Sequence, residues 1–184
     1  MKRMRWWPLV VGGVLAIGIL GGCSSKGIQP MTFDGSAWPG ISAYSVVTVM
    51  PLQAGPGVVV DPQLGAQMAE GIARRLRSDF GQVFAQVRIG TPAGQDNELV
   101  LLGEITECRT GQGPDGGPAR LDGQIGLQDA ADTQDIANAR FDTLRKTAGM
   151  PGQIRTLPEL IADTEAAIAF TVARAKGWKP AGTP

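Results

Sequence analysis

Three features of the sequence predict an α+β fold with a mixed, largely antiparallel sheet and two helices packed on one face. They are a β-branched run followed by a long amphipathic helix, a series of short alternating apolar stretches, and a second amphipathic helix near the carboxyl end. The β-branched run, Ser45 to Met50, is apolar on both faces, as a buried central strand requires, and Pro51 closes it. Asp61-Pro62 opens the first helix, because aspartate accepts from the free amides of a first turn and proline there has no N–H to lose. Leu64, Met68, Ile72, Leu76 and Phe80, supported by Ala69 and Ala73, form its inward stripe. Glu70 has the spacing to pair with Arg74, while Arg74, Arg75 and Arg77 sit at the negative end of the helix dipole and Gly81 is the expected stop.

Val83 to Ile89 alternates as a half-buried strand, with Val83, Ala85, Val87 and Ile89 on one face. Leu99 to Arg109 starts apolar on both faces and grows polar toward Glu107 and Arg109, so it should begin centrally and run out into solvent. After the turn-rich Gly111 to Pro118, Leu121, Ile125 and Leu127 share a face with Gly123. The chain then turns at Asp129 to Asp135 and returns through Ile136 to Leu144 with Ala139 and Phe141 inward, an antiparallel meander. Only the first crossover needs to be parallel. Thr156 and Glu159 have the spacing of a capping box, Pro158 suits the first turn, and Leu157, Leu160, Ile161, Thr164, Ile168, Val172 and Ala175 fall on one face of a helix ending near Gly177.

The first 22 residues have the three-part layout of an export signal: Lys2, Arg3 and Arg5, then an apolar stretch from Trp6 to Leu20, then Gly21 and Gly22 before a cysteine. The apolar stretch is shorter than the roughly 20 residues a membrane-spanning helix needs, and Gly12, Gly13 and Gly18 weaken it as a permanent helix. Leu20-Gly21-Gly22-Cys23 resembles the lipobox of bacterial lipoproteins. The resemblance implies cleavage before Cys23, diacylglycerol on its thiol and attachment to membrane through several acyl chains, since one chain alone anchors only marginally. Ser24 stands where the inner-membrane retention signal of enterobacterial lipoproteins resembles aspartate, which implies the outer membrane, periplasmic face. The expected organisation is a signal peptide over 1–22, a lipidated tether over 23–43, one domain over 44–177 and a tail over 178–184.

With the signal removed, 14 basic residues face 17 acidic ones, so the mature chain carries −3 and lacks the basic field that nucleic acid requires. There is no histidine, which removes the usual general base and the commonest transition-metal ligand. The mature serines sit in no nucleophile-elbow or Ser-x-x-Lys pattern. No catalytic, cofactor-binding or metal site is therefore expected, although a carboxylate-dependent enzyme stays open as a less favoured alternative. Gly111 to Gly116 matches Gly-x-Gly-x-x-Gly, but Pro114, Gly117 and Pro118 favour a hairpin loop over the helix that dinucleotide binding needs. Asp129, Asp132 and Asp135 are three apart rather than two, the spacing of a solvated turn and not of a calcium loop. Arg74, Arg75 and Arg77 read as a polar helix face, with an acidic partner as the alternative. Cys108, the thiol left once Cys23 is lipidated, alternates onto the face of Val100 and Leu102 as a buried small hydrophobe, the alternative being a redox or intermolecular-disulfide thiol. Trp178 either caps the core or stands exposed.

From Ser45 to Lys176 the element order, with stretches such as Phe80-Gly81-Gln82-Val83-Phe84 and Leu99 to Ile105, resembles an uncharacterised family of bacterial envelope lipoproteins. More distantly it is similar to the amino-terminal domains of the curli-secretion lipoprotein and the Tol-Pal translocation protein. The resemblance carries over no functional residue. It implies a tethered accessory module that binds an envelope protein or helps assemble an envelope complex, or else an oligomeric, secretion-related lipoprotein.

Overall fold

The computed structural model describes residues 32–33, 41–111, 117–143 and 156–179, and its fold is of the α+β class. The strands are β1 (Thr32–Phe33), β2 (Val46–Val49), β3 (Gln53–Ala54), β4 (Gln86–Ile89), β5 (Glu98–Arg109), β6 (Arg120–Asp129) and β7 (Asp135–Phe141), and the helices are α1 (Leu64–Ser78) and α2 (Leu157–Ala175). One sheet runs in the order β1-β7-β6-β5-β2-β4, with β3 continuing the line of β2 along β5. The β5-β6-β7 meander and the β1 pairing are antiparallel, but β2 lies parallel to both β4 and β5. A second parallel connection thus joins the expected one. All four residues of β2 are buried, which is why it lies between two neighbours.

The two parallel connections use opposite faces. The chain leaves β2 through α1 on one side and reaches β4. It then returns to the start of β5 through Gly90 to Asn97, which passes over the other side, where Ala93 and Gln95 donate N–H to Glu98 Oε2. A parallel crossover usually takes a dozen residues or more. Eight suffice here because β4 is only four residues long.

Alternation assigns the faces. Val47, Val49, Leu99, Leu101, Ile105, Ile125, Leu127, Ala137, Ala139 and Phe141 point toward the helices and join Met68, Ile72, Leu76, Leu160, Ile168 and Val172 in the core. Val46, Thr48, Glu98 and Val100 point the other way and are buried too, beneath the Gly90–Asn97 crossover.

Several local details differ from the sequence reading. α1 begins at Leu64, and Asp61 Oδ1 accepts the Gln63 N–H at 2.8 Å in a turn ahead of it. The helix ends at Ser78 with Asp79 donating N–H to Arg75, before Gly81 is reached. Arg74 turns to Glu165 on α2 rather than to Glu70. The fourth strand is confined to Gln86–Ile89, because Ala85 and Gln86 both donate to Ser45 O where the parallel ladder starts. Thr32–Phe33, within the expected tether, pairs with β7 at Arg140 and Ala139.

Cys108 sits on the opposite face from the one alternation assigns. A β-bulge skips Thr106, so Ile105 pairs with Gly123 while Glu107 pairs with Asp122 and Cys108 with Leu121. One extra residue inverts every later side chain. Cys108 therefore faces the helix side, half-buried against the core, and burial pushes its thiol pKa up.

The second helix matches its reading closely. Thr156 donates N–H to Glu159 Oε2 at 2.9 Å, completing the capping box, and Gly177 takes a φ of 104° two residues after α2 ends. Trp178 packs edge-on against Phe80 and Phe170 at 5.0 and 5.9 Å between ring centroids, so it caps the core.

Candidate functional site

Among the described residues, the sheet face opposite the helices is covered at its β4 side alone. Beyond the crossover it opens into a groove of about 710 Å³, a volume in the range of ligand-binding clefts. The register builds the groove in rows. Glu104, Gln124 and Arg140 stand side by side on β5, β6 and β7; Leu102, Gly126 and Asn138 form the next row; Gln128 and Asp135 close the far end. Met50, Pro51, Gln53 and Ala54 make one wall, since Pro51 interrupts the line from β2 to β3. Leu52 points the other way, filling the space above Gly103, where a Cβ would lie 2.5 Å from Leu52 Cγ.

Gly126 keeps the floor low. A Cβ there would approach Asn138 Oδ1 to 2.9 Å, so the Asn138 amide leans over the space that a side chain would fill. The rim is polar. Gln124 Nε2 donates to Glu104 Oε2 at 2.6 Å, Gln128 Nε2 to Asp135 Oδ1 at 2.7 Å, and Gln53 Nε2 to Pro51 O at 3.1 Å. Each of these amides keeps a second N–H and its oxygen, so the rim offers donors as well as acceptors.

Past the Glu104 row, the bulge brings Glu107 and Asp122 opposite each other. Arg120 bridges both, at 2.8 Å to Glu107 Oε2 and 2.6 Å to Asp122 Oδ2, and Asp122 Oδ1 also accepts the Thr143 N–H at 3.0 Å. This pair is consumed by its own neighbours.

Arg75 Nη2 donates to Ala162 O, and Arg77 donates through Nε and Nη2 to Val87 O on the outer edge of β4, at 3.2 and 2.8 Å. Arg74 and Arg75 flank Glu165 at 3.9 and 3.8 Å. All three arginines thus have partners within the chain. Asp129 accepts from Tyr44 and from the Ala131 N–H, and Asp132 from the Gln134 N–H. The Tyr44 hydroxyl is pushed up to about 12, first by its bond to Asp129, and Asp129 is lowered by the same bond. Of the three aspartates only Asp135 lines the groove. Among the described residues no group of His, Cys, Asp or Glu could hold a metal ion, and no helix is long and apolar enough to cross a membrane. β5 and β6 pair antiparallel out to Arg109 and Arg120, so the glycine string between them joins a hairpin, although 112–116 lie outside the described residues. Cys23 and its leader lie outside them as well.

Sequence reasoning did not find the groove. Its signal is a glycine in the middle of a strand, Gly126, with Gln124 and Gln128 two positions to either side on the same face.

The fold and groove define an α+β module with helices on one sheet face and a polar trough on the other. The fold has solved counterparts. A single-substitution variant of PelC from Paraburkholderia phytofirmans, solved as a dodecamer, is 21% identical over 75% of this chain and 95% of its own, with a TM-score of 0.53. A second structure of the PelC dodecamer is 20% identical over 75% of this chain and 93% of its own, with a TM-score of 0.51. The chain shares their fold. A lipoprotein from Neisseria meningitidis is 13% identical over 70% of this chain and 96% of its own, with a TM-score of 0.40. No protein-family model and no curated protein matches the chain.

Proposed function

We propose that this protein is a lipid-tethered accessory module of the bacterial envelope that holds a partner protein against the sheet face opposite its helices. The observation that carries this reading is the groove: about 710 Å³ of polar trough on the sheet face opposite α1 and α2, built on strands rather than loops. The module acts by binding, not by a reaction. Tethering through Cys23 to the periplasmic face of the outer membrane raises the effective concentration of a weak partner, so a modest interface suffices.

The test is photo-crosslinking in cells, with the crosslinking side chain at Gln124 or Asn138 in the groove and at Glu70 on the exposed side of α1. Adducts of defined mass are expected from the groove positions and not from Glu70. Equal crosslinking from all three, or none from the groove, overturns the reading.

A second reading is that copies of the chain assemble into an oligomer. It is favoured by one specific observation, that the solved PelC structures sharing this fold are dodecamers. Sedimentation of the full lipidated chain in detergent tests it. A species of a single chain's mass at all concentrations rejects it.

A further inference from the structure

The end of the sheet past Ile105 brings together two features that the groove does not use. One row of the sheet runs Thr32, Arg140, Gln124, Glu104 and Gln53, across β1, β7, β6, β5 and β3. β3 is parallel to β5, whereas β1 is antiparallel to β7 and hence to β5. The chain therefore enters β1 and leaves β3 at the same end of the sheet. Cys23 stands nine residues before Thr32, a length of chain that reaches at most about 30 Å. The row from β1 to β3 is four strand spacings wide, about 19 Å.

What leaves β3 at that end is Gly55-Pro56-Gly57-Val58-Val59-Val60, six residues without one polar side chain. The loop is held at both feet. Gly55 donates N–H to Ile105 O at 2.9 Å, Val58 closes a turn on Gly55 O at 3.1 Å with Gly57 at a φ of 75°, and Asp61 O accepts the Leu64 N–H at 2.9 Å where α1 starts. Val58 and Val60 pack partly against the core, so Val59 between them is turned outward and 90% exposed, with Pro56 and Gly57 exposed beside it. A solitary exposed valine is ordinary on a protein surface. This one is the most exposed large hydrophobic among the described residues, tops a fixed and uncharged loop, and stands at the end where the segment carrying Cys23 joins the sheet. The β5-β6 hairpin points to the same end, and between Thr110 and Ala119 it has a single charged residue, Asp115. The turn at the opposite end of the meander, Asp129 to Asp135, carries three aspartates instead.

We propose that Val59 and the loop around it rest on the lipid surface into which the acyl chains of Cys23 insert. This rests on the reading that the chain is lipid-tethered through Cys23. The tether supplies the encounter, holding loop and surface within reach of each other, so a contact as small as this one is occupied without strong affinity of its own. An uncharged apolar tip enters the boundary between headgroups and acyl chains without the cost of desolvating a charge. With the row from Thr32 to Gln53 lying along the surface, the strands stand upright and the groove opens sideways, parallel to the membrane.

The full lipidated chain is reconstituted in vesicles of phosphatidylethanolamine and phosphatidylglycerol that contain a radiolabelled phospholipid. A photo-crosslinking side chain replaces Val59 or, as the comparison, Ala131 in the turn at the far end. Illumination should transfer labelled lipid to the chain from position 59 and none above background from position 131. Because the crosslinking group is itself apolar, a second arm places it at Ala54, exposed at the foot of the loop, with and without Val59→Asp. The lipid adduct from position 54 should be lost in Val59→Asp, while the thermal unfolding midpoint stays where it was, as expected for a side chain 90% exposed. Equal labelling from 59 and 131, no labelling from 59, or an adduct from 54 that survives Val59→Asp overturns the proposal. So does a protein adduct in place of a lipid one when position 59 is illuminated in cells. Flotation of the vesicles separates the two readings. A chain that floats without a lipid adduct from 59 keeps its anchor and loses the loop contact, whereas a chain that does not float loses the anchor and the contact with it.

Discussion

Thr48 Oγ1 donates a 2.6 Å hydrogen bond to Glu98 Oε1 across the parallel β2-β5 ladder, and both residues are fully buried on the face away from the helices. The bond is one half of a clasp. The other carboxylate oxygen accepts the Ala93 and Gln95 N–H groups, and Arg88 stands 3.9 Å away. Glu98 therefore ties the crossover to the strand beneath it and marks where cover ends and the groove begins.

Thr48→Val keeps the shape of the side chain and leaves a buried carboxylate without one donor. It should cost about 1–3 kcal/mol in denaturant unfolding. Burial alone would raise the Glu98 pKa, but Thr48, the two backbone amides and Arg88 together lower it. A lowered carboxylate contributes stability that is present above its unfolded value and is lost as pH falls through the folded one. The penalty of Thr48→Val should therefore be largest near neutrality and shrink in acid. A cost independent of pH would show that Thr48 does not act through the Glu98 charge.

Arg77 covers an outward carbonyl of β4, Val87 O. An exposed strand edge invites pairing with another chain. Arg77→Ala should cost within about 1 kcal/mol, the worth of exposed hydrogen bonds, while increasing aggregation on heating. Light scattering during a thermal ramp checks it; unchanged scattering means the edge is protected by other means.

The bulge makes Cys108 a partly accessible thiol. Because burial raises its pKa, labelling by a thiol reagent in the folded protein should be slower than in denaturant and should accelerate at a higher pH than for the unfolded chain. Equal rates and pH profiles in both states would place the thiol in open solvent.

Much of this architecture was legible in the chain itself. The Leu64-to-Leu76 stripe, the Thr156–Glu159 box and the inward set Leu121, Ile125 and Leu127 follow from periods of 3.6 and 2 that packing did not override. What escaped depends on events that leave no periodic trace. A single skipped residue, Thr106, moved Cys108 to the other face. The burial of Thr48 and Glu98 comes from a crossover that itself looks like an ordinary loop. Arg74 chose Glu165, nearly a hundred residues away, over Glu70 one turn back. The groove escaped for a related reason, since it is defined by what three strands place side by side, whereas each strand alone shows only a polar face.

Glu165 is held 6% exposed at the crossing of the two helices. Gly71 makes room for it: a Cβ at position 71 would lie 2.0–2.2 Å from the carboxyl group. Burial raises the Glu165 pKa, and the attraction of Arg75 and Arg74 offsets this only in part. The approach is distant, 3.8 Å from Arg75 Nε, an atom that is itself buried and makes no hydrogen bond among the described residues. A carboxylate whose folded pKa is raised binds its proton more tightly in the native state. Stability is then full below the unfolded pKa and declines as pH rises through the folded one. Glu165→Gln resembles the protonated form permanently, so it should raise the unfolding midpoint at pH 7, and the gain should vanish as pH falls below the ordinary glutamate range. A loss at pH 7 would mean that the arginines hold the charge more strongly than burial opposes it. The same geometry predicts coupling with position 71. Gly71→Ala alone forces the carboxyl aside and should cost about 1–3 kcal/mol. In a Glu165→Ala background the clash is gone and alanine's better helix propensity, worth about 1 kcal/mol, should make the same change stabilising. A double-mutant cycle measures this reversal of sign, and additive effects would show that Gly71 is not there to receive Glu165.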